Sequence, residues 1–570
     1  MTYTLASGMT YALSAGVSGL QAHQTMLDVT GNNLANVNTT GYKSSRVTFA
    51  ELLAQTLEPA TQPAGNIGGT NPVQLGTGVG VAAITPSMNQ GNIVNTGNPL
   101  DMAIEGQGYF VVTDGERDLY TRAGTFGVDA AGYLIDSSSG YRVERLGTTG
   151  EADGFQIPGD GGIRVPYDVA LPARATSEIT LTGNVSADDV GESQRQVVSS
   201  SISYTFDNGK EATTDTAIDQ LDQFTGGSGA GGELAAGETG TISISGYQKN
   251  GTVYASGLDF AVASGTTLGD LIDHLNTNVL AGSTASLVNG QIRVTDDEAG
   301  YSKSDIRLLY SGAGLLTTPT YFETPTVGGE EVRHVNIAAF DTLGGKHVLS
   351  AALVRSDTSN TWDLVLTSVT GDVSEIGLDD RRVGGIQFDS ETGAYAGIAQ
   401  NEVAEFTVTF GHDTAHPQSI SLDFGTIGSF DGLTQFAGAS TAVAREQDGY
   451  ESGSLSGVSV NTDGTLVGAF SNGIKKDIAV LQLALFRNAA GLESVGDSYL
   501  VSSANSGNAV STQATSGGAG SIHGAALEKS NADVASEFVN LIQAQNGFQA
   551  NARTISVANE VLRELTNLIR

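Results

Sequence analysis

Apolar residues recur with two different periods along this chain. Near the start, Leu13, Val17, Leu20, Gln24, Leu27, Gly31 and Leu34 follow one another at alternating steps of four and three. That spacing lines up one seam of a helix that packs on other helices. Asn38-Thr39-Thr40-Gly41 ends it, Gly41 supplying the positive φ of a C-terminal stop. A second short helix is expected through Phe49, Leu52, Leu53 and Leu57, closing before Pro59. At the other end Val534, Phe538, Leu541, Gln545, Phe548, Ala552, Ile555, Asn559, Leu562, Thr566 and Ile569 keep the same 4-3 spacing without a proline. Ser530 with Asp533 reads as its N-cap pair. The pattern predicts a helix of about 36 residues, roughly 54 Å long at the standard rise.

Between the ends the period falls to two. Met102, Ile104 and Tyr109-Phe110-Val111-Val112 are separated by Gly-containing turns, and Asp129-Ala130-Ala131-Gly132 reads as a hairpin turn. One short helix interrupts the strands: Thr267 with Asp270 forms a capping box ahead of Leu271, Ile272, Leu275 and Val279. Strands resume at 283–310, 334–370 and 448–510. Trp362, Leu364 and Leu366 alternate with Asp363, Val365 and Thr367, so one face of that strand is expected to be buried. Residues 59–80 and 511–524 are rich in small and turn-forming residues and read as linkers. The layout is helix, linker, β, linker, helix: a multidomain, mainly β chain with long terminal helices. A lone helix is marginal in water, so each end needs a partner, whether the other end or a second copy.

Composition sharpens this picture. Glycine is abundant at 75 residues and proline scarce at 11, as many short strands joined by tight turns require. The net charge of −35 opposes binding to nucleic acid. Residues 1–60 and 528–570 each carry only −1, leaving −33 for the interior of the sequence. Near-neutral ends and an acidic middle suggest ends that pack and a middle that faces water. There is no cysteine, hence no thiolate site and no disulfide. No apolar run is long enough to span a membrane. Met1-Thr2-Tyr3-Thr4-Leu5 lacks the basic and apolar regions of a secretory signal peptide, which by itself reads as cytosolic unless a signal-independent export route exists.

Three segments invite an enzymatic or ligand-binding reading. His412 and His416 stand four apart but lie between strand-like runs, without a metalloprotease Glu, so no metal is assigned to them. Gly76-Thr77-Gly78-Val79-Gly80 lacks the Lys-Ser/Thr of a phosphate loop. Asn461-Thr462-Asp463-Gly464 suits a hairpin turn that needs no calcium. No catalytic set and no cofactor site is assigned.

The two ends together resemble a known family. Ser18-Gly19-Leu20, Asp28-Val29, Asn32-Asn33-Leu34-Ala35-Asn36 and Thr40-Gly41-Tyr42-Lys43 are similar to the N-terminal signature of flagellar rod and hook axial proteins. Gly524-Ala525-Ala526-Leu527-Glu528-Lys529-Ser530-Asn531, Glu537-Phe538-Val539-Asn540-Leu541-Ile542 and Gln545 resemble its C-terminal end. Phe470-Ser471-Asn472-Gly473 and Gly491-Leu492 resemble the inner β-domain. Rod members lack a large middle, so residues 151–447 fit the hook members. One departure lies at the start, where the helix of the family begins nearer the first residue. Residues 1–8 are then an extension, or Met9 is the start.

The resemblance implies a non-enzymatic, secreted structural subunit that polymerises into a curved, flexible tube carrying torque from rod to filament. Its terminal helices would pair in an inner coiled-coil-like domain. The implied division is 1–80 for the N-terminal half of the helical domain plus linker, and 81–150 and 448–510 for an inner β-domain. Residues 151–190 and 331–447 make a second β-domain, 191–330 an inserted outermost α+β domain, and 511–570 a linker and the C-terminal helix. The implied assembly residues are Leu13, Val17, Leu20, Leu27, Asn32, Asn33, Leu34, Asn36, Val534, Phe538, Leu541, Gln545, Phe548, Ile555, Asn559 and Leu562. The amides among them, with Gln543, Asn546 and Asn551, are read as a mixture: some fix register between helices, some line a polar channel, and a plain solvated face is the alternative. Implied partners are further copies, the distal rod, the hook cap, the hook–filament junction proteins and the flagellar type III export apparatus. The implied location is the extracellular hook and basal body, reached without a cleaved signal peptide. Distal rod protein, or a secreted β-rich adhesin, is the alternative.

Overall fold

A computed structural model of the chain describes residues 2–63, 65–66, 68–188, 192–400 and 402–568, so Met1 and Ile569 lie outside the described residues. Strands dominate, with a long helix at each end, α1 (Thr2–Ala35) and α3 (Val534–Leu568), and the short α2 (Leu268–His274) between them. No described helix is long and apolar enough to cross a membrane. The chain forms two units, one from the residues up to Leu171 and from Gly453 onward, the other from Pro172 to Ser452.

In the first unit the expected second helix is replaced by strands. β1 (Ser45–Glu51) and β2 (Ala54–Glu58) pair antiparallel with β4 (Val79–Pro86) and β3 (Val73–Gly76) respectively. The apolar steps at Phe49, Leu52, Leu53 and Leu57 mimic a helical stripe. The partner strands, however, lie inside the stretch read as the first linker, where Val73, Leu75, Val79 and Val81 alternate and satisfy the backbone across the ladder. The second linker is corrected likewise. Val510–Thr512 pairs with Leu483–Leu485, and Ser521–Gly524 with Met102–Glu105, because Ala514 and Ile522 are buried and anchor the small residues around them.

A nine-stranded sheet draws on both halves of the sequence: Leu483 lies opposite Phe110 and Leu500 opposite Tyr120. Asp129-Ala130-Ala131-Gly132 forms the expected hairpin turn, Asp129 Oδ1 accepting from Ala131 N at 2.9 Å.

The second unit holds two main cores. A five-stranded antiparallel sheet runs 332–340, 346–355, 361–369, 382–388 and 395–398. It buries Leu353, Trp362, Leu364 and Leu366 against Phe406 and Leu422. The Trp362 strand differs from the expectation of one buried face, since every residue from Thr361 to Thr367 is buried. Its outward side is covered: Val365 packs with Val327 and Val354, while Asp363 pairs with Arg382 at 2.9 Å and accepts from the Tyr301 hydroxyl. The other core gathers Ile218, Leu271, Leu275, Ile292 and Phe322 around α2. The capping box is present there, with Thr267 and Asp270 bonded reciprocally at 2.9 and 3.2 Å. Chain entry and exit of this core meet where Gln194 N donates to Gly329 O at 3.0 Å.

Candidate assembly interface

The two terminal helices lie against one another inside the first unit, and what they bury is small or polar. On α1 the buried positions are Gly16, Gly19, Ala22, Thr30 and Asn33; on α3 they are Glu537, Ala544 and Ala558. A Cβ on Gly19 would fall 2.6 Å from Asn551 Oδ1, and one on Gly16 would fall 2.9 Å from Ile555 Cγ1. Only glycine admits so close an approach. The start of α3 is fixed by Asp533, whose carboxylate accepts from Ser536 Oγ at 2.6 Å and Ser536 N at 3.0 Å; those bonds hold it below the usual carboxylate range. Ser530 does not pair with it, and instead accepts from Ala532 N at 3.2 Å.

The large apolar residues of the sequence seam are buried less completely, Ile555 lying against Gly16. Leu13, Leu20, Leu27, Leu34, Leu541, Phe548, Ile555 and Leu562 are half-buried. Val17, Val534 and Phe538 are exposed, as are Gln545, Asn559 and Asn32. Val539, Ile542, Val557 and Val561, absent from the 4-3 pattern, are exposed too. Phe538 keeps 49% and Ile542 53% of its surface in water. A groove of about 720 Å³ runs along the pair past Ala12, Asn546, Ala550, Val557 and Val561.

The amides divide. Asn33 is buried and uses all four of its hydrogen-bonding positions: Nδ2 donates to Ser45 O (2.8 Å) and Glu537 Oε1 (3.1 Å), while Oδ1 accepts from Ser45 N (2.9 Å) and Tyr42 OH (3.1 Å). Asn551 donates to Gly547 O within α3, and Asn36, just past the end of α1, donates to Asn32 O. Gln543, Gln545, Asn546 and Asn559 face solvent.

Below the helices a buried charge cluster ties the two ends of the sequence together. Glu528, fully buried, accepts from Lys43 Nζ at 2.7 Å, Gly91 N at 2.8 Å and Arg122 Nη1 at 3.3 Å. Its carbonyl accepts from Gly41 N at 2.8 Å. Gly41 has φ +69°, and a Cβ there would meet Ala123 N at 2.6 Å. Burial pulls the Lys43 ammonium down, against the opposing pull of Glu528. Asn531 Oδ1 accepts from Ser44 N at 2.7 Å, and its Nδ2 donates to Ser87 O and Asn89 O at 2.9 Å. Charges so buried are tolerated because each is paired and hydrogen-bonded. The arrangement holds groups in place and presents no reacting pair.

Beside α1 the strands β1–β4 form an arm whose apolar side chains are largely in water, Leu53 at 89% exposure. It docks through Val79 N, which donates to Ser18 Oγ at 3.2 Å, through Phe49 against His23, and through Tyr11 bonded to Gln55. The candidates set aside from the sequence stay apart. His412 hydrogen-bonds Thr342 and His416 bonds Asp413, while Asp463 accepts from Thr465 within its own turn. Among the described residues no group could hold a metal ion.

A β-rich chain that closes on itself by joining its two ends, yet leaves helical and strand faces apolar in water, belongs to the class of assembly subunits. Similarity to known proteins narrows that class. The chain matches the families described as Flagella basal body rod protein (residues 13–43), Flagellar hook protein FlgE/F/G D1 domain (103–187), Flagellar basal body protein FlaE D2 domain (311–450) and Flagellar basal body rod FlgEFG protein C-terminal (523–568). It is 30% identical over 574 residues to the flagellar hook protein FlgE of Treponema pallidum, covering 99% of this chain and 100% of that one. To FlgE of Borreliella burgdorferi it is 29% identical over 566 residues, covering 98% and 100%. The rod protein FlgG of Bacillus subtilis is 41% identical but over only 28% of this chain and 61% of its own length. The chain belongs to the flagellar hook protein family and is a structural subunit of the hook, so the rod and adhesin alternatives are set aside.

Proposed function

We propose that α1 and α3 act as one coiled-coil-like element whose outer stripe packs on the same element of neighbouring copies, building the inner wall of a flexible, curved tube. The stripe consists of Val17, Val534, Phe538, Val539, Ile542, Val557 and Val561, flanked by the half-buried leucines and Phe548. The arm β1–β4 seals against neighbours in the same wall, and Gln543, Gln545, Asn546 and Asn559 face a polar channel. The residues at 81–150 and 448–510, then 151–190 with 331–447, and finally 191–330 form successive outer layers. The subunit carries torque and catalyses nothing. It leaves the cell through the flagellar type III apparatus without a cleaved peptide and meets rod, cap and junction proteins at its ends.

One observation carries this reading: the residues fully buried between α1 and α3 are small or polar, and apart from half-buried side chains such as Ile555 against Gly16, much of the larger apolar surface is left for other copies. Burying the half of Phe538 and Ile542 still in water would stabilise each subunit by about 1 kcal/mol per side chain, half the value for a fully exposed one. Electron microscopy of the purified chain at raised salt should show tubes. Phe538→Asp sets a carboxylate on the exposed stripe, where it can reach water in the monomer but would be buried unpaired in a tube. The variant should keep its circular dichroism and melting yet form no tubes, and cells carrying it should not swim. Normal tubes from Phe538→Asp would sink the proposal.

A further inference from the structure

We infer that the cavity under the end of α1, lined by Lys43 and Arg122, binds a small monocarboxylate with an apolar body. The cavity measures about 300 Å³ and lies within the first unit, where Tyr42, Tyr109, Met88 and Leu492 join the two cations on its wall. That volume is at the lower end for small-molecule sites. Tyr109, Arg122 and Leu492 are 4%, 7% and 8% exposed and make its deep side. Asn32 and Ser494 also lie on the wall and are exposed, so the cavity reaches water there.

Charge decides the class of ligand. No acidic residue lines this cavity, although the chain has a net charge of −35. Among the described residues Glu528 is the only carboxylate that pairs with Lys43 or Arg122, at 2.7 and 3.3 Å. Two cations thus share one anion, and a positive charge is left over. Their donors are not used up either. Arg122 spends Nη1 and Nη2 on Glu528, Ile104 O and Gly106 O, but its buried Nε has no partner. The Lys43 ammonium has three N–H groups and two acceptors, Glu528 and Asn89 O. The Tyr109 hydroxyl donates to the Met88 sulfur at 3.4 Å, a weak acceptor. A buried surplus of charge with idle donors is costly until an anion joins it. Shape decides the rest. The rings of Tyr42 and Tyr109 and the side chains of Met88, Leu492 and Leu500 would leave a bare inorganic anion against apolar surface. A ring or branched alkyl group carrying a single carboxylate suits both parts of the wall. Occupancy adds a tie to the cluster that joins Lys43 with Glu528, and so stabilises the helix-bearing unit.

Sodium benzoate is the probe. Added to the purified chain, it should raise the melting transition of the helix-bearing unit saturably and leave that of residues 172–452 in place. Sodium chloride and sodium phosphate at equal ionic strength should not, nor should benzyl alcohol, which has the ring without the charge. Saturation-transfer NMR should show the benzoate ring protons in contact with the protein. Lys43→Met removes the surplus charge and should weaken binding by about tenfold or more, the worth of a hydrogen bond to a charged group. Should that variant fold poorly, Ser494→Trp still decides, because it leaves the charge cluster intact and fills the mouth, where the side chain is exposed. It should abolish the benzoate shift. No shift with benzoate overturns the inference. Equal shifts with chloride or phosphate overturn the carboxylate class, and an equal shift with benzyl alcohol overturns the role of the cations. A benzoate shift that survives Ser494→Trp places the ligand elsewhere and overturns the site.

Discussion

Around Trp362 the large apolar side chains pack on one another; between α1 and α3 the glycines of each helix receive Asn551, Ile555 or His23 of the other. Leu353, Leu364, Leu366 and Phe406 are all within 1% of complete burial. On the helices, Phe538, Val539 and Ile542 keep about half of their surface in water, and the buried positions are Gly16, Gly19, Ala22 and Ala544. Both regions are well ordered by ordinary rules, yet only the first is finished. A closed core gains its stability within one chain, so it needs no second copy. A helix pair joined through glycine, alanine and amides leaves its hydrophobic free energy available to association. The difference separates what folds from what assembles, and substitutions in each region should therefore have separate consequences.

The largest effect on folding is expected at the closed core. Trp362→Ala should cost about 3–5 kcal/mol, the range for removing a buried aromatic. The melting transition of residues 172–452 should fall sharply while that of the helix-bearing unit stays put. If both transitions fell together, the two units would not be independent and the comparison would lose its footing.

A smaller effect is expected at the charge cluster beneath the helices. Glu528→Gln leaves Lys43 and Arg122 buried without their carboxylate, at a cost of about 3 kcal/mol. That is the low end for breaking a buried pair, because Asn89 O, Ile104 O and Gly106 O still accept from the two cations. The melting of the helix-bearing unit should drop, tubes should form poorly, and the Trp362 core should be unmoved. Unchanged melting of the first unit would show that the cluster does not fix the helices.

How much of this was legible in the sequence follows the range of the interaction concerned. The span of α3, the capping box at Thr267 and Asp270, and the turn at 129–132 are local, and period and turn chemistry were enough. The strands β1 and β2 read as a helix in the sequence because Phe49, Leu52 and Leu57 mimic helical steps, and their partners lie beyond a Gly-rich stretch. The heptads showed that α1 and α3 were helices that pack, but not which stripe met which. Glycine and alanine are silent in a hydrophobic pattern, although Gly16, Gly19 and Ala22 recur at three-residue steps. Lys43 and Glu528 stood out only as parts of family signatures. Their ion pair joins positions 485 residues apart, and no local rule could pair them.

The smallest expected effect asks whether apolar packing alone closes the second unit. At the turn after the strand 332–340, Asp341 Oδ1 accepts from Leu343 N and Gly345 N, both at 2.8 Å. Its Oδ2 faces His347 Nε2 at 3.0 Å and His412 Nδ1 at 3.6 Å. The His347 ring stacks on Phe410 with centroids 4.0 Å apart, and its Nδ1 lies 2.8 Å from Thr370 O. Burial pushes the Asp341 carboxyl up, but His347, the two backbone N–H groups and His412 outweigh it and hold it below the usual range. A carboxyl depressed in the folded state binds its proton more readily when unfolded. Its contribution is therefore fully present above the unfolded value, about 3.9, and is lost as pH falls through the lower folded value. Asp341→Asn should destabilise residues 172–452 by about 1 kcal/mol at pH 7, the scale of a single charged hydrogen bond less its neutral substitute. Below pH 4 the gap between wild type and variant should close. The measurement is urea unfolding at a series of pH values on both proteins, which cancels the many other carboxylates common to them. Curves that stay parallel down to pH 2.5 would mean that Asp341 adds no charge-dependent stability, and that packing around Trp362 and Phe410 suffices.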